Sequence, residues 1–137
     1  MAKDVRVRWG WLKFMYIYTI VGAGGFGLAL IVIPDTIKAA FAWPDQDAIM
    51  LGIMASAYLG FGIMSILGLR SPLKFSPVLL LQLCYKLIWM IVAVLPLAVY
   101  GQLPPHALVF VGIFASYIIG DLIAIPFGYV FGTESKQ

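Results

Sequence analysis

The sequence predicts an all-α protein, an integral membrane four-helix bundle formed by a single domain of residues 1–137, and three observations predict it. Hydrophobic residues make up 63% of the chain against 11% charged, with a mean hydropathy of +1.01, a balance that a soluble domain could not hide in its interior. The apolar residues gather into four runs, 14–33, 48–69, about 77–100 and 107–131. Each run is close to the ~20 residues a helix needs to cross a ~30 Å hydrocarbon core. Basic residues collect at alternate ends of these runs, the asymmetry that fixes orientation in a bilayer.

Lys3, Arg6, Arg8 and Lys13 precede the first run, and Arg70 and Lys74 lie between the second and third; these ends are predicted to be cytoplasmic. The N-terminal basic residues also fit contact with anionic lipid, and four of them give no case for nucleic acid. Trp9, Trp11, Tyr16 and Tyr18 read as anchors at the same interface. A cleavable signal sequence ending near Ala40-Phe41-Ala42 is rejected, because the run is too long for a signal and Pro34 ends it well before that point. The outer loop, 34–47, begins Pro34-Asp35-Thr36, a helix-start pattern, and Ile37, Ala40, Phe41 and Trp43 give a short helix an apolar side to lay on the interface. Asp45 is the expected N-cap of the second span, and Asp45 and Asp47 suit the positive end of its dipole. The loop after the third run, Gly101 to His106, has no Lys or Arg and is predicted to lie outside. Four crossings return the tail, with Glu134 and Lys136, to the cytoplasm.

Small residues mark the expected packing faces. Gly112, Ser116, Gly120, Ala124, Gly128 and Gly132 recur every fourth residue in the last run, and Gly52, Ser56 and Gly60 do so in the second. Such ridges let helices approach closely, within one bundle or between subunits. Gly22, Ala23, Gly24, Gly25 and Gly27 cluster in the first run and are likewise read as packing, since a phosphate-binding glycine loop needs a strand before it.

Lys86 and Asp121 stand alone inside the last two runs. Each costs about 2.5–3.5 kcal/mol at a helix centre unless compensated. Lys86 lies twelve residues beyond Lys74 and Asp121 thirteen before Glu134, so a count of ~1.5 Å per residue puts both near the midplane and predicts an ion pair. Tyr58 falls at the same level, with Gly25 opposite to supply space. Gln82, Lys86 and Trp89 share a helix face edged by Tyr85, and Tyr117 lies one turn before Asp121. Pro96 and Pro126 are expected to disturb their helices near this cluster. The pair serves either to fix the register of two spans or to build a ligand or proton-linked site.

Other chemistry lacks its residues. One histidine, His106, and one cysteine, Cys84, make no metal-ligand set and no intrachain disulfide, and no catalytic triad shares a depth. No cofactor is expected, and an enzyme is the weaker reading, represented only by a lipid isomerase using Asp121 and Tyr58 as acid and base.

The run Gln82-Leu83-Cys84-Tyr85-Lys86-Leu87-Ile88-Trp89, followed by Pro96, Gly120-Asp121 and Pro126, resembles small bacterial four-helix membrane proteins of the DoxX-like kind. That resemblance implies a multi-pass protein of the bacterial inner membrane associated with quinone-linked oxidoreductase complexes or serving as a small accessory subunit. The preferred reading is a non-catalytic accessory or assembly subunit of a larger inner-membrane complex. Its partners are the bilayer and other membrane subunits or further copies of the chain, met through the small-residue faces. The alternative is a binder or proton-coupled carrier of a lipophilic small molecule, using Lys86 and Asp121 with Tyr58, Gln82 and Trp89 around them.

Overall fold

A computed structural model describes residues 7–133, and among these residues the regular structure is entirely helical. Four helices are long and apolar enough to cross a membrane: α1, Trp9–Val32; α3, Ala48–Arg70; α4, Ser76–Val99; and α5, Pro105–Ala124. Two short helices complete the chain, α2, Pro34–Ala40, between the first two long ones, and α6, Phe127–Val130, after the last. Lys3, Arg6, Glu134 and Lys136, used above to orient the chain, lie outside the described residues.

The helix ends follow from local chemistry. Proline occupies the first turn of α2, α4 and α5, where its missing N–H has no intrahelical partner to lose. The cap of α3 is Asp47, whose Oδ2 accepts from the Met50 N–H at 2.9 Å. The expected cap, Asp45, instead stands 3.9 Å from Lys38 with its side chain in the open. The last span stops at Ala124, short of residue 131. Ile125 is extended (φ −67°, ψ 126°), the conformation imposed on a residue before proline, so Pro126 ends the helix where the sequence suggested only a bend.

Two of the long helices change pitch part-way. Residues Ile20–Gly24 of α1 and Met90–Val94 of α4 are wound as π-helix. The second π turn runs directly into Pro96 and absorbs the ring that a regular helix could not hold without a clash.

Consecutive long helices pack against one another along the chain, and α5 returns to the Trp9–Thr19 half of α1. Packing is tight at the end bearing Arg8, Lys13, Arg70 and Lys74. There Leu12, Met15, Tyr16, Leu79, Leu83, Tyr117, Ala124 and Ile125 form one core. Arg8 Nη1 donates to the Ile123 carbonyl at 2.7 Å, and Tyr16 Oη to the Pro72 carbonyl at 2.6 Å. Tyr16 is therefore a core residue and not an interfacial anchor, whereas Trp9 and Trp11 are about half exposed, as anchors need to be. Toward the other end α1 and α3 stay in contact while α4 stands apart. No residue of Met90–Val99 is buried.

The close approach of α1 and α3 is made by glycines other than those of the expected α3 ridge. Gly24 and Gly62 face each other so closely that a Cβ on Gly62 would stand 2.5 Å from Gly24 Cα, while a Cβ on Gly27 would stand 2.6 Å from the Ala55 carbonyl oxygen. Around Gly52 and Gly60 nothing lies within 4 Å of such a Cβ, and Ser56 is exposed. The expected ridge of α5 divides in the same way. Gly120 packs on Met15 and Ala124 is buried, but Gly112, Ser116 and Gly128 are exposed.

Candidate functional site

Lys86 and Asp121 are both removed from solvent, at 1% and 0% exposure, but they do not pair. Among the described residues the ion pairs closer than 4.0 Å join Lys38 to Asp35 and Asp45. The reason is depth. Lys86 is ten residues into α4, about 15 Å from its start, while Asp121 is three residues from the end of α5, about 5 Å. Because α5 ends at Ala124, counting back from Glu134 placed Asp121 too far along the span. Its partner is the polar residue one turn nearer the start of α4: Gln82 Nε2 donates to Asp121 Oδ2 at 3.0 Å. Thr19 completes this buried group. Its hydroxyl donates to the Met15 carbonyl at 2.8 Å and lies 3.3 Å from Gln82 Oε1, so one chain of polar contacts joins α1, α4 and α5. Asp121 Oδ1 has no hydrogen-bond partner among the described residues.

Lys86 sits instead among aromatic rings. Its Nζ donates to Tyr85 Oη at 2.7 Å and lies 4.3, 4.6 and 4.5 Å from the ring centroids of Tyr85, Phe114 and Tyr117. All three distances fall well inside the ~6 Å range of cation–π attraction, which strengthens as water is removed. The rings thus take over part of the compensation expected of a carboxylate.

Beside this ammonium is a cavity of about 280 Å3, held between α1 from Tyr18 onward and the first part of α5. Gly22, Ala23 and Phe26 line one side and Phe110, Ile113, Phe114 and Tyr117 the other; Tyr58 of α3 and Lys86 of α4 close the back, and Phe41, just after α2, covers the far end. Each helix contributes for a local reason. Phe110, Phe114 and Tyr117 recur at three- and four-residue spacing and so project from one face of α5. Tyr18 and Tyr117 stack with centroids 4.1 Å apart and rings 4° from parallel, and Tyr117 Oη donates to the Tyr18 carbonyl at 3.0 Å. Gly22 lies in the π turn directly under that hydroxyl, where any Cβ would collide with it. Phe26 meets Phe41, Trp43, Tyr58 and Phe110 edge-on, with centroids 5.6–5.9 Å apart, the arrangement aromatic quadrupoles favour. A left-handed turn at Ala42 (φ 54°) and a 2.8 Å bond from the Trp43 N–H to the Lys38 carbonyl bring Phe41 and Trp43 over these rings.

The residues singled out in the sequence therefore separate into two groups. Lys86, Tyr58 and Tyr117 line the cavity, with Tyr85 bonded to Lys86. Gln82 and Asp121 form the polar chain below, and Trp89 packs on Phe114 at 4.9 Å without reaching the cavity. Gly25, expected to supply space, is exposed with nothing near it; Gly22 and Ala23 take that position. Phe26, Phe41, Phe110 and Thr19 were not foreseen. The spacing of Phe110, Phe114 and Tyr117 was the available signal.

This arrangement can hold and orient a small apolar molecule that has one polar group. Among the described residues no three His, Cys, Asp or Glu side chains gather as a metal site would require. No protein-family model, curated protein or solved structure matches the chain.

Proposed function

We propose that the protein is a multi-pass protein of the bacterial inner membrane, with both termini in the cytoplasm, that binds a lipophilic small molecule within its four-helix bundle. The observation that supports binding most directly is the cavity itself. It is lined by aromatic side chains and has one buried cation, Lys86, on its wall, the combination of apolar lining and a single orienting polar group typical of small-molecule sites. Its volume of about 280 Å3 is near the lower limit of such sites, about 300 Å3. The grouping of Arg8, Lys13, Arg70 and Lys74 at one end supports the orientation, and the DoxX-like layout supports the compartment.

The test is retention of a native ligand. Protein purified gently from its own membrane is denatured and its small-molecule content compared with that of Ile113→Trp, which fills the cavity from its partly exposed edge. One compound should be present near stoichiometry in the wild type and depleted in the variant. Identical contents would refute the reading.

A second reading, the accessory or assembly subunit, is favoured by two observations. No residue of the Met90–Val99 half of α4 is buried, and Gly52, Ser56 and Gly112 are exposed, leaving apolar and small-residue surface for another membrane subunit or a second copy.

A further inference from the structure

We propose that the molecule held in this cavity is a flat aromatic acid of one or two rings, bound with its carboxylate at Lys86 Nζ and its rings among Phe26, Phe110 and Phe114. This rests on the reading of the cavity as a binding site and adds the chemical class of its occupant.

Charge is the first argument. Among the described residues Lys86 is the one formally charged side chain on the cavity wall, and no carboxylate oxygen lies within 4.0 Å of its Nζ. An ammonium has three N–H donors, and only one is engaged, by Tyr85 Oη. The rings around it soften the electrostatic cost of burial but accept no strong hydrogen bond. A buried ammonium with idle donors and no carboxylate in contact selects an anionic oxygen, and it repels a cationic ligand.

The hydroxyls of Ser116, Tyr18 and Tyr117 do not compete for that role. Ser116 Oγ donates to the Ile113 carbonyl at 2.6 Å and is 2.6 Å from Tyr18 Oη, so it accepts the tyrosine's proton, and Tyr117 Oη gives its own to the Tyr18 carbonyl. Both tyrosines are committed within the protein.

Shape and size supply the rest. The walls are predominantly rings, and Trp43 and Phe110 already stack near the far end, 13° from parallel with centroids 5.2 Å apart; flat aromatic surface is what such walls match. An apolar cavity of about 150 Å3 accepts benzene, so about 280 Å3 has room for a second ring or a carboxylate beside the first.

The test uses three probes of one shape on full-length protein in phosphatidylcholine nanodiscs: 2-naphthoate, 2-naphthamide and 2-naphthylmethylammonium. Binding is measured by calorimetry against empty nanodiscs. The wild type should bind naphthoate at least about tenfold more tightly than the neutral amide, with the ammonium weakest. Lys86→Gln should lose that preference while still binding the amide. If this variant does not fold, the comparison among probes on the wild type still decides. Equal affinities for acid and amide would overturn the assignment of an anion and leave the cavity reading standing. Absence of saturable binding by all three, with Ile113→Trp indistinguishable from wild type, would overturn both.

Discussion

Asp121 has no exposed surface, yet only one of its two carboxylate oxygens has a partner. A buried acceptor left unmatched is costly, and a buried charge more so. The residue is kept where it is by Gln82, which donates to it, and Thr19, which stands behind Gln82. This suggests that the acceptor, and not the charge, is what the fold uses. Asp121→Asn keeps an oxygen for Gln82 and should leave the thermal midpoint in detergent nearly unchanged. Asp121→Leu strands the Gln82 amide and should cost about 1–3 kcal/mol, read as a clear fall in that midpoint. Equal destabilisation by both variants would mean that the negative charge itself holds the helices. The two ionisable residues were visible in the sequence as exceptions inside apolar runs. Their separation was not, because depth was measured from charges beyond the spans and Pro126 ends α5 before that ruler begins.

Among the helices, glycine placement decides which faces meet. Gly62 and Gly24 bring two backbones into direct contact, and a methyl group there would force α1 and α3 apart. Gly62→Ala should therefore destabilise by about 1–3 kcal/mol, the usual cost of overpacking, whereas Gly52→Ala, with open space around it, should be neutral or slightly stabilising. Denaturation by SDS titrated into mild detergent would report both. The helices themselves were legible, because insertion energy accumulates over ~20 residues and four apolar runs supply it. Which side of each helix turns inward was not. In lipid the outward face is as apolar as the inward one, so a small-residue stripe such as Gly52-Ser56-Gly60 looks the same whether it meets a helix or an acyl chain. Only contacts made at a distance, such as Tyr16 reaching over Gly68 to the Pro72 carbonyl, distinguish them, and these depend on the assembled fold.

The whole molecule is packed unevenly along its length, with a dense core at the basic end and the Met90–Val99 part of α4 left unpacked at the other. If the loose end receives another subunit, Gly52→Leu and Gly112→Leu, which disturb nothing inside the chain, should reduce the mass measured by analytical ultracentrifugation of material extracted in mild detergent. A wild type that sediments as one chain would exclude the accessory reading. Composition announced the membrane class at once, since an excess of apolar residues has no other place to go. It could not announce the unevenness, which arises from where aromatic bulk and glycine happen to face one another in space. That unevenness has a consequence for traffic. Below Lys86 the interior is filled by Met15, Tyr16, Leu79 and the Thr19–Gln82–Asp121 chain, all essentially unexposed, so the chamber is a blind alley and not a corridor. If the cavity holds a guest, entry and exit share one mouth, at the partly exposed Ile113 edge. Occupancy would then follow the guest's chemical activity at that mouth alone, which is the behaviour of a gauge, not of a pump.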